Sequence, residues 1–169
     1  MKKLAGVLLI LLVVGLSSGL FFRYFKNPSG SMLPTLEVGD HFAVYLRYPS
    51  NGTVIRGYVV VYPDPTTKKL YTKRIVGLPD ETVNIENNDV YINGEMLHEP
   101  YAFFDDSYSS IRDHGPVEIP DGEVFLLGDN RNASIDSRHH GTIGTDELVG
   151  KATRIYWARD KKRILKKVM

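Results

Sequence analysis

The sequence contains no cysteine among its 169 residues. Disulfide bonds, thiolate metal sites and a cysteine nucleophile are therefore excluded, although this absence leaves the cellular compartment open. The sequence also lacks an excess of either charge, because 21 Lys and Arg face 20 Asp and Glu, for a net charge of +1. This balance gives no reason to expect a nucleic-acid partner.

The five histidines offer no metal-ligand spacing. His139 and His140 are adjacent and would point apart in an extended segment, and no His-x-x-x-His pair occurs. This spacing predicts no metal site. An organic cofactor is not called for either, because the chemistry indicated below uses only groups that the chain itself supplies. A Ser-His-Asp triad built from Asp136 and one of these two histidines stays open, although nothing in the pattern marks it.

One long apolar run stands at the N-terminus. Residues 4–22 carry no charge, and as a helix these nineteen residues would span about 28 Å, close to the hydrocarbon thickness of a bilayer. The run predicts a single transmembrane anchor. A cleaved secretory signal is the alternative, but apolar residues continue beyond the small residues at 15–17. Basic residues flank both ends, so the positive-inside rule does not fix the orientation.

The remainder of the chain, about 145 residues, is enough for one well-buried core. It shows no sustained 3.6-residue apolar period, and Gly, Asn and Pro turn signals separate short extended stretches. This pattern predicts a mainly β domain at 23–157, a compact and partly closed antiparallel β-barrel. The strands are expected at 41–48, 58–62, 69–76, 82–85, 90–92, 117–119, 123–127 and 148–157.

Two parts of the chain differ from this β pattern. Residues 100–116 are polar and aromatic, and they predict a loop excursion between strands, either a lid or a solvated loop. Residues 158–169 form a basic C-terminal tail. The tail either frays in solvent or contacts anionic lipid headgroups.

A serine and a lysine suggest chemistry. Ser31 lies in a stretch rich in small residues, 29–36 (SGSMLPTL), as expected where a backbone exposes one hydroxyl and presents N–H groups to a substrate carbonyl. Strand alternation places Lys73 on one face with Tyr71 and Ile75. Burial there would lower the lysine pKa, as a general base requires, whereas a lysine that reaches water along the face would be structural. The two residues predict a Ser-Lys hydrolase.

Three segments, in this order after the apolar run, resemble bacterial type I signal peptidase. They are residues 29–40 (SGSMLPTLEVGD), 73–79 (KRIVGLP) and 128–141 (GDNRNASIDSRHHG). The resemblance extends from the run to about Trp157. It implies the signal peptidase fold and a membrane-bound serine endopeptidase that removes signal peptides from exported preproteins, cleaving after small-x-small sequences.

The same resemblance implies a location. Residues 1–3 would be a short cytoplasmic N-terminus, and the chain would cross the bacterial cytoplasmic membrane once. The catalytic domain would then lie on the outer or periplasmic face. Preproteins and membrane phospholipid are the expected partners, and a monomer is expected.

The resemblance also implies roles for single residues. Ser31 matches the nucleophile, Lys73 the general base, and Ser134 the hydroxyl that orients the lysine amine. Ser29 and the backbone N–H of Ser31 match the oxyanion donors. The resemblance also implies a set of residues that support the site, namely Asp129, Arg131, Asp136 and Arg138. It implies a second set that shapes the substrate cleft, namely Phe25, Met32, Leu36, Tyr71 and Thr72.

Four positions depart from the family pattern, and none removes a reacting group. Asn27 replaces a commonly apolar cleft residue, Asp80 a glycine, Asn132 an aspartate and His139 an aromatic residue.

Other functions remain open beside this one. A LexA-like self-cleaving peptidase shares the Ser-Lys chemistry, but the apolar run and the lack of DNA-binding helices argue against it. A specialised peptidase for a pilin-like or conjugation substrate shares the chemistry in full. A membrane-tethered β-domain that binds exported segments without cutting them would not need a neutral lysine.

Overall fold

The computed structural model describes residues 21–49, 52–108 and 113–169. The predicted N-terminal residues 1–3 lie outside this part of the chain, as does the predicted anchor at 4–22 except for its last two residues. Phe22 opens the first strand. Among the described residues, no helix is both long and apolar enough to cross a membrane.

Eleven strands and one short α-helix are found in the described residues. The helix, α1, spans Ser137–His140, and single 3₁₀ turns lie at Gly30–Met32, Thr145–Glu147 and Lys161–Arg163. The strands are β1 (Phe22–Lys26), β2 (His41–Tyr45), β3 (Val59–Pro63), β4 (Leu70–Gly77), β5 (Thr82–Glu86), β6 (Asp89–Ile92), β7 (Glu95–Met96), β8 (His114–Glu118), β9 (Glu123–Leu127), β10 (Ile143–Gly144) and β11 (Gly150–Trp157).

The strands form two antiparallel sheets. The larger has the order β1-β2-β11-β3-β4-β9-β10 and the smaller the order β7-β6-β5-β8. The mainly β, antiparallel prediction is confirmed. The predicted partly closed barrel is corrected to two open sheets in the described residues, because the terminal strands of each sheet do not pair with each other.

The central strand β4 packs against a different core on each of its faces. Ile75 belongs to a buried cluster with Val60, Leu126 and Ile143. Val76, the next residue, belongs to a second cluster, between the two sheets, that includes Phe125 and Val83. Since successive strand residues point to opposite faces, β4 is covered on both sides and can bury a side chain on either.

The two parts predicted to lie outside the β pattern are held against the domain, and residues 114–116 of the predicted excursion belong to strand β8. Phe103, in the predicted excursion, exchanges backbone hydrogen bonds with the segment that follows β9, from its N–H to Asp129 O and from Arg131 N–H to its own carbonyl. In the C-terminal segment 158–169, the amides of Leu165 and Val168 bond carbonyls of β11, and Val168 is buried. This segment packs on the sheet and does not fray.

Candidate active site

Ser31 lies in the 3₁₀ turn Gly30–Met32, immediately after a loop that one buried asparagine fixes. Asn27 is only 2% exposed, and its Nδ2 lies 2.9 Å from Ser29 O, 3.1 Å from Leu36 O and 3.0 Å from Glu37 O. These contacts tie the outgoing and returning ends of the serine loop together. Asn27 therefore supports the loop. The sequence showed only that an asparagine replaces a commonly apolar residue here, and it did not predict this role.

Lys73 projects from β4 toward this serine. Its Nζ lies 2.8 Å from Ser31 Oγ and 3.1 Å from the Thr72 carbonyl. The predicted face is confirmed, because Tyr71 packs against the same cluster as Ile75 and its ring centroid lies 5.5 Å from Nζ. The alternative of a lysine that reaches water is wrong, since Lys73 is only 4% exposed.

The surroundings of Lys73 favour its neutral form. Burial lowers the pKa of Lys73 from 10.5 to about 8, and the Arg138 charge acts in the same direction. The carboxylates of Asp136 and Asp129 oppose this effect but do not cancel it. A substantial fraction of the amine is therefore unprotonated near pH 8, and it can accept the Ser31 proton across the 2.8 Å contact.

Two further hydroxyls lie beside this pair. Ser29 Oγ is 3.3 Å from Ser31 Oγ. Ser134 Oγ is buried, and among the described residues it makes no hydrogen bond of ordinary geometry, either to the Lys73 amine or to another group. It nevertheless lies close enough to the Asp136 carboxylate to help lower the pKa of that group. A Cβ added at Gly128 would lie 2.2 Å from Ser134 Oγ and 2.6 Å from the Ser31 carbonyl. The glycine thus permits close approach of the two serine-bearing segments.

The four predicted support residues are all buried or nearly so, but two have partners that the sequence did not suggest. Asp129 pairs with Arg74 at 2.7 and 2.6 Å rather than with Arg131. Arg131 instead forms a two-pronged pair with Glu99, at 2.6 Å for both contacts. Strand alternation places Arg74 on the face of β4 opposite Lys73. This alternation was the only feature of the sequence that could have indicated a separate pairing role for Arg74.

Asp136 and Arg138 do pair with each other, through contacts of 2.8 Å to each carboxylate oxygen. Asp136 also accepts the Gly128 amide at 3.0 Å and caps α1. Burial alone would raise the pKa of Asp136, but the hydrogen bonds and charge of Arg138 outweigh it, so this pKa lies below its ordinary value. The carboxylate therefore stays charged near Lys73.

A cleft of about 320 Å³ opens over the Ser31–Lys73 pair. Tyr71 and Thr72, which were predicted to shape a substrate cleft, line it. Met32 and Leu36 instead lie fully buried in a core cluster, and Phe25 packs against that cluster. The remaining lining residues are Asn27, Pro28, Ser29, Lys69, Leu70, Ala133 and Ile135.

Neither candidate histidine reaches Ser31. His140 Nε2 lies 3.0 Å from the Tyr62 hydroxyl, and His139 Nδ1 lies 3.9 Å from Asp136. The hydroxyl of Ser31 contacts Lys73 and Ser29 instead. The Ser-His-Asp alternative is therefore wrong. Within the described ranges, no three His, Asp or Glu side chains are grouped to hold a metal ion.

Comparison with known proteins gives one consistent family. Residues 1–157 match the family described as signal peptidase, peptidase S26. Signal peptidase I T of Bacillus subtilis (strain 168) is 35% identical over 166 residues, which cover 94% of this chain and 86% of the relative. Probable signal peptidase I-2 of Synechocystis sp. is 36% identical over 140 residues, covering 77% of this chain and only 61% of the relative.

One solved structure adds to this comparison. The crystal structure of a signal peptidase I from Enterococcus faecalis V583 is 29% identical to this chain, with a TM-score of 0.50. The match covers 59% of this chain and 96% of that one.

Proposed function

The chain belongs to the signal peptidase family of serine endopeptidases, and we propose that it removes N-terminal signal peptides from exported preproteins. One observation carries the proposal. The buried Lys73 amine lies 2.8 Å from Ser31 Oγ, and burial lowers its pKa to about 8. A buried amine that is readily deprotonated beside a serine hydroxyl is suited to act as a general base.

The reaction begins when neutral Lys73 takes the Ser31 proton and Ser31 Oγ attacks the carbonyl carbon before the cleaved bond. The Ser29 hydroxyl and the Ser31 N–H donate to the negative oxygen that forms. The C–N bond then breaks, and the Lys73 ammonium returns its proton to the leaving amine. In the second half, Lys73 accepts a proton from water, whose oxygen attacks the acyl carbon. The bond between that carbon and Ser31 Oγ then breaks, and the Lys73 ammonium returns its proton to Ser31 Oγ, which restores both side chains.

The open edge of β4 supports binding of the substrate as an extended strand. Residues 70–74 of β4 pair with β3, whereas pairing with β9 begins at Arg74 and continues toward Gly77. Residues 70–73 therefore lack a paired strand on the other side in the described structure. A peptide that adds there would pass Thr72 and bring a backbone carbonyl to Ser31. Ala133 and Ile135 line the cleft, and side chains that occupy the space beside the cleaved bond would exclude large substrate residues there by steric clash.

We further propose the location and partners that fit this substrate. The apolar run at 4–22 would anchor the chain in the bacterial cytoplasmic membrane, with the catalytic domain on its outer or periplasmic face. Preproteins would then emerge near the cleft, and phospholipid would be a neighbour. A single chain supplies Ser31, Lys73 and Ser29, so a monomer would be sufficient for the reaction.

The test is cleavage of a preprotein with a small-x-small signal end by the full chain in phospholipid vesicles. Ser31→Ala and Lys73→Ala are compared with the unchanged chain, and the exposed Lys161→Ala serves as the matched lysine control. Mass spectrometry should place the cut after the small residue, and only the first two substitutions should abolish it. Cutting by Lys73→Ala would contradict the proposed base.

Two other results would redirect the proposal. Cutting of only one kind of exported substrate, among several with small-x-small ends, would favour a specialised peptidase. Binding of these preproteins by the folded chain without any cutting would favour the non-cleaving domain.

A further inference from the structure

One arginine of the basic C-terminal segment turns inward. Residues 159–167 hold six cations, yet Arg163 among them is only 8% exposed. Its Nε and Nη2 lie 3.1 and 2.7 Å from Asp40 Oδ2, and Asp40 is itself buried. Because a buried charge is retained only when it is paired and hydrogen-bonded, this arginine is a built part of the interior.

The same guanidinium also binds the backbone that returns from Ser31. Nη1 donates to Pro34 O at 3.3 Å, and Nη2 donates to Thr35 O at 3.0 Å. Glu37 Oε1 lies 3.1 Å from Nη1, and the Glu37 amide donates to Asp40 at 2.9 Å. A planar guanidinium can serve these acceptors together, whereas the single ammonium of a lysine cannot.

These contacts reach the strand that carries the base. Thr35 is held by Arg163 through its carbonyl, while its hydroxyl donates to Asp129. Asp129 in turn pairs with Arg74, the residue that follows Lys73 on β4. The serine loop and the lysine strand are therefore joined through Thr35.

We propose that Arg163 is a positioning residue, which holds the loop 29–37 so that Ser31 Oγ stays within reach of Lys73. The expected effect of Arg163 on the cleavage rate rests on the proposed function, whereas its role in holding the loop does not. It assigns a role in the site to a residue outside the family match, which ends at 157. Arg163 acts through Thr35 and Asp40 and does not touch the substrate.

The kinetic test compares Arg163→Met and Arg163→Lys with Lys162→Met, an exposed neighbour whose loss removes the same charge. Cleavage rates are measured on the full chain at a temperature at which circular dichroism shows every variant folded. Arg163→Met should lower kcat about 10- to 100-fold with KM changed less than twofold, because a small displacement of a reacting atom is that costly. The kcat of Arg163→Lys should lie between those of Arg163→Met and the unchanged chain, and the kcat of Lys162→Met should equal that of the unchanged chain.

Hydrogen exchange of the same proteins gives a readout that needs no cleavage. The Leu36 amide bonds to Met32 O at 2.8 Å, and in Arg163→Met it should exchange at least tenfold faster, whereas in Lys162→Met it should not. A folded Arg163→Met with unchanged kcat and exchange would overturn the proposal. If this variant does not fold, Arg163→Lys decides, and unchanged kcat and exchange there would overturn it.

The two proposals fail in different ways. An unchanged chain that cleaves no preprotein, but whose Leu36 exchange accelerates as expected in Arg163→Met, would defeat the proposed function and support the loop-holding role. Normal cleavage with no change of exchange or kcat in the Arg163 variants would defeat only the positioning role.

Discussion

Lys73 carries both the reactivity of the site and a cost in stability. Burial brings its pKa to about 8, so the neutral fraction falls about tenfold for each pH unit below that value. We expect kcat/KM to rise with pH up to about 8 and then to level off. The measurement is cleavage between pH 5.5 and 10 of a peptide without titratable groups near the cut. A midpoint near 6.5, the ordinary histidine value, would contradict lysine as the base.

The same lowered pKa predicts that removal of the lysine amine stabilises the fold. Between pH 8 and 10.5 the unfolded chain binds more protons than the folded chain, so Lys73 makes stability rise with pH across this window. At pH 7 its full penalty is present, about 3 kcal/mol for a shift of this size. We expect Lys73→Met to abolish cleavage and to raise the free energy of unfolding at pH 7 by about 1–3 kcal/mol.

Urea unfolding at pH 7 and pH 10 measures this effect. The gain should shrink at the higher pH, and Lys161→Met, at an exposed lysine, should show neither the gain nor its pH dependence. An unchanged or lower stability of Lys73→Met at pH 7 would show that the amine is not held in an unfavourable environment.

At the scale of the elements, the junction between β9 and α1 requires glycine at 128. An added Cβ would overlap Ser134 Oγ and the Ser31 carbonyl, so Gly128→Ala should move both serines. We expect it to lower kcat about 100-fold. Gly77→Ala is the matched control, because its Cβ would meet Ile119 and Val83 in the core at 2.2 and 2.6 Å.

Both glycine variants should lose stability, by about 1–3 kcal/mol for this kind of overpacking. Only Gly128→Ala should lose activity per folded molecule, measured as kcat after correction for the folded fraction. Equal kcat in the two variants would show that the approach of the two serine segments at Gly128 does not matter for the reaction.

The sequence predicted most of the longer strands and missed the two shortest. Strand β9 was predicted in full, and β4 to within one residue at each end. Strands β7 and β10 have two residues each, too few to show a period. Strand β1 lay hidden because Phe22 ends the apolar run that was interpreted as an anchor. The placement of Lys73 beside Ser31 followed from strand alternation together with the family resemblance.

At the scale of the whole molecule, sequence pattern could not assign the buried ion pairs. Asp129 and Arg131 lie two residues apart, yet each pairs with a distant partner, Arg74 and Glu99. Pairing of this kind depends on how the strands approach one another. A motif shows that charged residues are present but not which side chains meet. The inward turn of Arg163 is a second case, since its surroundings in the sequence are those of a solvated basic segment.

The Arg131–Glu99 pair joins the segment after β9 to the start of the excursion at 100–116. Arg131 is almost fully buried and Glu99 nearly so. Loss of the carboxylate charge would leave the guanidinium buried and uncompensated, which costs about 3–5 kcal/mol. We therefore expect Glu99→Gln to lower the free energy of unfolding by about that amount. The double variant Glu99→Met with Arg131→Met should lose less than Glu99→Gln alone, because no unpaired charge remains.

The pair between Arg56 and Glu81 is the control, since it uses the same chemistry with 25% and 18% of the two side chains exposed. Glu81→Gln should cost about 1 kcal/mol, because water can compensate the arginine. Urea unfolding of these three variants beside the unchanged chain makes the comparison. If Glu99→Gln cost no more stability than Glu81→Gln, the buried ion pair would not be what holds the excursion to the site. The backbone hydrogen bonds from Phe103 N–H to Asp129 O and from Arg131 N–H to Phe103 O would then be its main attachment.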